Sequence, residues 1–171
     1  MKTDRILALA GLLLIAAIFG FFYAWVCSTI WGLDQLDPQI AIAAMQAMNA
    51  SVRNPVFFPA FFLTPLVLLA SAALLHHKRR CGSVLCFALA ALIYLVGGFG
   101  VTIAVNVPMN EALALVDAAS FQQSGDPSGQ AGGIWRAYSG RWQFWNQVRA
   151  SACGLAVVMT GIGLMKLDQP A

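Results

Sequence analysis

Thr102, Asn106 and Asn110 recur at intervals of four, so a helix carries all three on one face. Trp142, Asn146, Arg149 and Cys153 follow at intervals of four, three and four, which again makes one helical face. Both sets lie in or beside long apolar runs, where amides and a guanidinium are costly against lipid. They must pair with one another or line a wet cavity. Glu111, next to Asn110, offers a carboxylate that could hold Arg149 through two parallel hydrogen bonds. Amide and guanidinium donors gathered in a low-dielectric pocket can stabilise an enolate or phenolate oxyanion without a metal. The candidate catalytic residues are therefore Asn106, Asn110, Glu111, Asn146 and Arg149, with Thr102 as a ligand contact. The competing reading is a network that only ties two helices together.

Trp135, Tyr138, Trp142 and Trp145 fall at intervals of three, four and three, which stacks four rings on one helical face. Such a stripe suits an aromatic belt at headgroup depth. It also suits a wall for a flat ligand, and these four are the remaining candidate binding residues. Metal chemistry has little support. The two histidines, His76 and His77, are adjacent and far in sequence from the polar face. Neither a zinc spacing nor a Glu-x-x-His pair occurs, so no metal site and no cofactor is expected. Cys27, Cys81, Cys86 and Cys153 form no CxxC and read as packing residues, as do Met45, Met48 and Met109.

The elements that must position these groups are four apolar runs, residues 6–30, 56–75, 84–107 and 144–165. Each is about the twenty residues that cross a hydrocarbon core. Arg149 is the one formal charge inside them. The 171 residues are 60% hydrophobic and 10% charged, with a mean hydropathy of +0.74. Expected is an all-α integral membrane four-helix bundle, one membrane domain over 1–171, with the lipid bilayer as its partner. The first run is too long for a signal-peptide core and lacks a small-x-small cleavage site, so it is read as a retained helix. A tight turn at His76–Arg80 makes the second and third helices antiparallel neighbours.

Short amphipathic helices are expected in the two long connections. Asp37-Pro38 opens the first, with Ile40, Ala44, Met48 and Val52 as its apolar stripe opposite Gln39, Gln46 and Asn49. The second starts helically and breaks at Ser124–Gly129 and Gly132-Gly133, read as a flexible loop. Pro59 and Pro65 lie inside the second span, where Pro65 could widen the bundle. Gly97, Gly98 and Gly100 with Gly154, Gly161 and Gly163 predict close contact between the third and fourth spans.

Lys2, Arg5, Lys78, Arg79, Arg80 and Lys166 share one side of a four-span chain, against Arg53, Arg136, Arg141 and Arg149 on the other. The positive-inside rule then puts both termini in the cytoplasm, in a bacterial inner (plasma) membrane. Nothing in the net charge of +3 points to nucleic acid. A homo-oligomer is compatible with the glycine-lined helices, and a transport path would require one.

Val105-Asn106-Val107-Pro108-Met109-Asn110, followed by Trp142-x-x-Trp145-Asn146-x-Val148-Arg149, resembles the anthrone oxygenase-like family of small four-helix membrane proteins. The stretch Met48–Pro59 leading into the second span fits as well. Characterised fungal relatives of that family oxidise an anthrone to an anthraquinone with molecular oxygen. The resemblance thus implies a cofactor-independent oxygenase-like activity on a lipophilic aromatic, anthrone- or quinol-like small molecule. It carries the family's asparagines onto Asn106 and Asn110, and its tryptophan, asparagine and arginine onto Trp145, Asn146 and Arg149. One position departs: Gln147 stands where the family often has histidine, and a neutral amide is no general base near pH 7. A non-enzymatic protein that binds a lipophilic ligand or scaffolds a partner is the alternative from another class.

Overall fold

An apolar stretch without proline runs from Thr3 to Asp34 and forms one helix, α1, in a computed structural model that describes residues 3–118, 121 and 127–168. Trp25–Thr29 within α1 is a π-turn. Asp37 then accepts a hydrogen bond from the Gln39 backbone N–H at 2.9 Å, and Pro38 takes the first position of α2, Pro38–Ser51. Asn54 opens α3, Phe57–His77: its Oδ1 accepts from the N–H groups of Val56 and Phe57 at 2.8 and 2.9 Å. At the other end of α3 the N–H of Arg80 reaches the Leu75 carbonyl, and that of Arg79 the His76 carbonyl. Arg79 supplies the left-handed backbone (φ 55°) that this Schellman closure needs. The turn returns the chain into α4, Cys81–Ala114, which holds π-segments at Tyr94–Gly100 and Thr102–Asn106. The last helix, α5, runs Pro127–Met165.

The described residues are helical, without strands, and α1, α3, α4 and α5 are each long and apolar enough to cross a membrane. Residues such as Leu13, Leu66, Leu92 and Val158 on their outer faces are exposed, as lipid-facing positions would be. Around the bundle α1 packs on α3 and α5, and α4 packs on α3 and α5. Small residues close the α4–α5 seam. A Cβ on Gly97 would overlap that of Ala152, and one on Gly163 would lie 2.8 Å from the Phe87 ring. Gly154 faces Phe19 of α1 instead. Pro65, having no N–H, frees the carbonyl of Phe61, which accepts the Tyr94 hydroxyl at 2.7 Å.

Two apolar cores result. One lies between the spans and includes Ile15, Leu68, Phe87 and Ala156. The other lies under α2, where Ile42 and Met45 meet Leu33, Leu113 and Trp135. The end of the bundle that bears α2 is here called the capped end, and the end at residues 78–80 the hairpin end.

Three details differ from expectation. The buried face of α2 is Ala41, Ile42 and Met45, while Ile40 is exposed. The helix turns Gln46 inward because its Nε2 donates to the Leu113 and Val116 carbonyls, both at 2.8 Å, capping the end of α4. Gly129, Gly132 and Gly133 belong to α5 rather than to a loop, since Pro127 starts that helix. Ser124, Gly125 and Asp126 of the expected loop lie outside the described residues. The helical parts of the second connection are thus continuous with α4 and α5.

Candidate functional site

At the seam between the two cores lies a cavity of about 210 Å³, larger than the roughly 150 Å³ that houses a benzene in an engineered core. Helices α1, α3 and α5 wall it with rings, among them Phe22, Trp25, Phe57, Phe61 and Trp142. The rings sit in mutual contact: Phe61 stacks on Phe57 at 5.4 Å, and Trp25 meets Trp142 edge-on at 5.0 Å. Polar groups come from one side of the lining, as Thr102, Asn110 and Arg149, with Asn49 and Arg53 added from the α2 end.

Arg149 is 5% exposed. Its Nη1 donates to Thr102 Oγ1 at 3.3 Å and its Nη2 to Asn146 Oδ1 at 2.8 Å. Both acceptors are neutral. The guanidinium carbon lies 4.4 Å from the centre of the Phe22 ring and 5.2 Å from that of Trp142. No carboxylate pairs with it among the described residues, and its Nε has no hydrogen-bond partner. A guanidinium has five N–H donors, so most of its capacity is uncommitted. The two acceptors are held in turn: Thr102 donates to the Gly98 carbonyl at 2.7 Å, and Asn146 Nδ2 to the Phe22 carbonyl at 3.1 Å, just before the π-turn of α1. Local π-geometry at Trp25–Thr29 and Thr102–Asn106 places both walls of the cavity off the regular helical register.

Asn110 is a knot rather than a free amide. Its Oδ1 accepts from Tyr138 Oη at 2.8 Å and Trp142 Nε1 at 2.9 Å, and its Nδ2 donates to Asn49 Oδ1 at 3.0 Å. Because the indole is donor only, the amide orientation is fixed by this network. Asn49 keeps its own Nδ2 buried and unpartnered. Asn106 is fully buried with neither amide atom bonded, and it does not line the cavity.

The structure therefore brings Thr102, Asn110, Trp142 and Arg149 to one cavity and sets Asn146 directly behind Arg149. Two expectations need correction. Glu111 does not reach Arg149; it points out and pairs with Arg53 at 3.6 Å, the two side chains being 62% and 57% exposed. One position beyond Asn110 on a helix is a turn of about 100°, which removes it from the polar face. The four-ring stripe is neither a belt nor a wall. Trp135 and Tyr138 are buried struts of the cap, Trp142 alone lines the cavity, and Trp145 packs edge-on against Phe144 outside it. Gln147 is exposed and borders a small crevice with Trp25, Ile30 and Gln143, away from the cavity.

Sequence reasoning missed Asp34. Its Oδ1 accepts from Trp135 Nε1 at 2.9 Å and Ser139 Oγ at 2.6 Å, and its Oδ2 from Gln143 Nε2 at 2.8 Å. These bonds pin the end of α1 to α5. The sequence signal for the other rings is the adjacent pair Phe21-Phe22 and the i, i+4 repeats Phe57/Phe61 and Phe58/Phe62. Among the described residues no group of three or more His, Cys, Asp or Glu could hold a metal ion.

Comparison with known proteins gives a match of residues 50–159 to the family model described as Anthrone oxygenase. No curated protein and no solved structure matches the chain.

Proposed function

The chain belongs to the anthrone oxygenase family, and we propose that it is a cofactor-independent oxygenase acting on a lipophilic aromatic compound of anthrone or quinol type. The observation that carries this reading is Arg149: a buried guanidinium held by two neutral acceptors beside an aromatic cavity. An anthrone is flat and apolar, and its central carbon is acidic because the charge passes to the ring oxygen. Phe22, Phe61 and Trp142 suit its faces, and the free N–H groups of Arg149 suit that oxygen.

In this mechanism the bound anthrone loses a proton from its central carbon to hydroxide at the mouth, where Arg53 is exposed. The carbanion passes one electron to dioxygen, and the resulting radical and superoxide join in a C–O bond. The peroxide takes up a proton. Loss of the second C–H proton and cleavage of O–O then release water and leave the quinone carbonyl. The protein supplies orientation, oxyanion stabilisation and a dry site. Thr102 and Asn146 position Arg149; Asn110 and Asn49 set the cap over the cavity.

The test is oxygen uptake and quinone formation by the purified full chain with an anthrone, measured above the spontaneous rate. Arg149→Met, which keeps the bulk without the donors, is expected to lower turnover at least about 100-fold with the fold retained. A wild-type rate no higher than spontaneous, or an unchanged rate in Arg149→Met, overturns the assignment. A second reading has one observation in its favour: among the described residues neither a carboxylate nor a histidine lines the cavity, so a ligand could bind without reaction. Saturable binding of the anthrone with no oxygen uptake would select it. The basic residues at the hairpin end support an orientation with both termini cytoplasmic, and we propose one domain in a bacterial inner membrane.

A further inference from the structure

A second space flanks the cavity on its α1–α3 side. A groove of about 460 Å³ runs along that seam from Ala17 and Ile18 to Val56 and Ala60. Phe21, Trp25, Met48, Val52 and Phe57 line groove and cavity alike, so the two spaces share a wall. The groove opens toward the face a bilayer would cover: Ala17 is exposed and Val56 is 84% exposed.

The polar groups divide sharply between the two spaces. Arg149, Thr102, Asn110 and Asn49 line the cavity and none of them lines the groove. The groove's polar side chains are Ser51 and Asn54, and both are spent on backbone. Ser51 Oγ donates to the Met48 carbonyl at 3.0 Å, Asn54 Nδ2 to the Ser51 carbonyl at 2.7 Å, and Asn54 Oδ1 accepts two N–H groups. An occupant of the groove therefore meets apolar surface, while an occupant of the cavity meets donors at one end. Between the two stands the Phe21–Phe57 pair, with ring centroids 4.9 Å apart.

We propose that the ligand is a tailed hydroxyarene: its ring system and acidic oxygen lie in the cavity, its aliphatic chain lies in the α1–α3 groove, and it enters sideways from the hydrocarbon past Phe21 and Phe57. The proposal rests on the reading that the cavity holds the oxygen-bearing ring. Lateral entry fits the partition of such a compound, which concentrates in the bilayer rather than in water. Since acyl chains are as apolar as the groove, the tail adds selectivity and a path more than raw affinity.

Full-length protein in phosphatidylcholine nanodiscs is titrated with two radiolabelled hydroxyanthracenone probes, one bare and one bearing a decyl chain with a terminal diazirine. On irradiation the decyl probe is expected to label peptides containing residues 17–21 and 56–60. In Ala17→Trp, which places an indole at a lipid-facing position of the groove, the affinity of the decyl probe relative to the bare one is expected to fall at least tenfold. Labelling elsewhere, or an unchanged affinity ratio, overturns the tail assignment while bare-probe binding leaves the cavity reading intact. A phosphatidylcholine with an acyl-chain diazirine that labels the same residues, and that the decyl probe does not displace, gives the groove to lipid and overturns the proposal. Failure of both probes to bind overturns the cavity reading and this one with it.

Discussion

The capped and hairpin ends of the bundle are built from the same four spans and differ in what fills the middle. Toward the hairpin end, Leu68, Leu75, Phe87, Ala90 and Ala156 are fully buried, and α5 approaches α4 through Gly163. Toward the capped end aromatic rings from α1, α3 and α5 face one another, and α1 and α4 pass through π-segments. Space remains there, and the polar groups collect around it. A bilayer gives helices little hydrophobic reason to associate, so close packing must supply the cohesion. The hairpin end provides that packing, which leaves the capped end free to hold a cavity and an uncommitted guanidinium.

The contrast can be broken most severely at its tight end. Gly163→Ala should cost about 1–3 kcal/mol, because the new methyl group would lie 2.8 Å from the Phe87 ring and the ring or a helix must shift. Gly20→Ala, where nothing lies within 4 Å, should be neutral or stabilising by up to about 1 kcal/mol on helix propensity alone. Thermal midpoints in detergent for the pair check the sign difference. At the capped end, Asp34→Ala should cost about 2 kcal/mol, since the Trp135 and Ser139 donors lose their acceptor. Unlike Gly163→Ala, it should also weaken anthrone binding through a loosened cap.

Tyr94→Phe tests the border between the two ends and should cost about 1–2 kcal/mol. Its hydroxyl satisfies the Phe61 carbonyl that Pro65 leaves free, at a depth where no water is available to replace it. Combining it with Pro65→Ala, which restores an amide donor, should recover most of the loss. Additive losses in that double-mutant cycle would refute the assignment.

How much of this was readable depends on contrast within each helix. The four spans stood out because nothing but Arg149 interrupts them. Thr102, Asn110, Trp142 and Arg149 could be brought together from spacing alone, since polar groups on apolar helices mark a face. The aromatic wall from α1 and α3 is harder to place: the Phe57/Phe61 and Phe58/Phe62 repeats show, but on helices apolar on every face nothing marks which side turns inward. Asp34 has no such contrast, because it lies beyond the apolar run 6–30, yet α1 continues to it and its carboxylate closes on three donors. The face of α2 was misjudged by one position because Gln46 was counted as solvent-facing, whereas two open carbonyls at the end of α4 draw it inward.

Glu111 is the residue on which charge complementarity misled most, and it yields the smallest expected effect. A carboxylate near a buried arginine invites pairing, but burying the pair would strip water from both charges, and the helix already directs position 111 outward. Its contact with Arg53 is long and solvent-exposed, the kind worth about 0–1 kcal/mol. Glu111→Gln should therefore move the thermal midpoint by no more than that equivalent and should leave the turnover of an anthrone within about twofold. Arg53→Gln should match it in stability. It should alter ligand affinity, though, because Arg53 lines the cavity and Glu111 does not. A collapse of turnover in Glu111→Gln with the fold intact would make this carboxylate the base in place of hydroxide, and would require a conformation in which α4 turns that face inward.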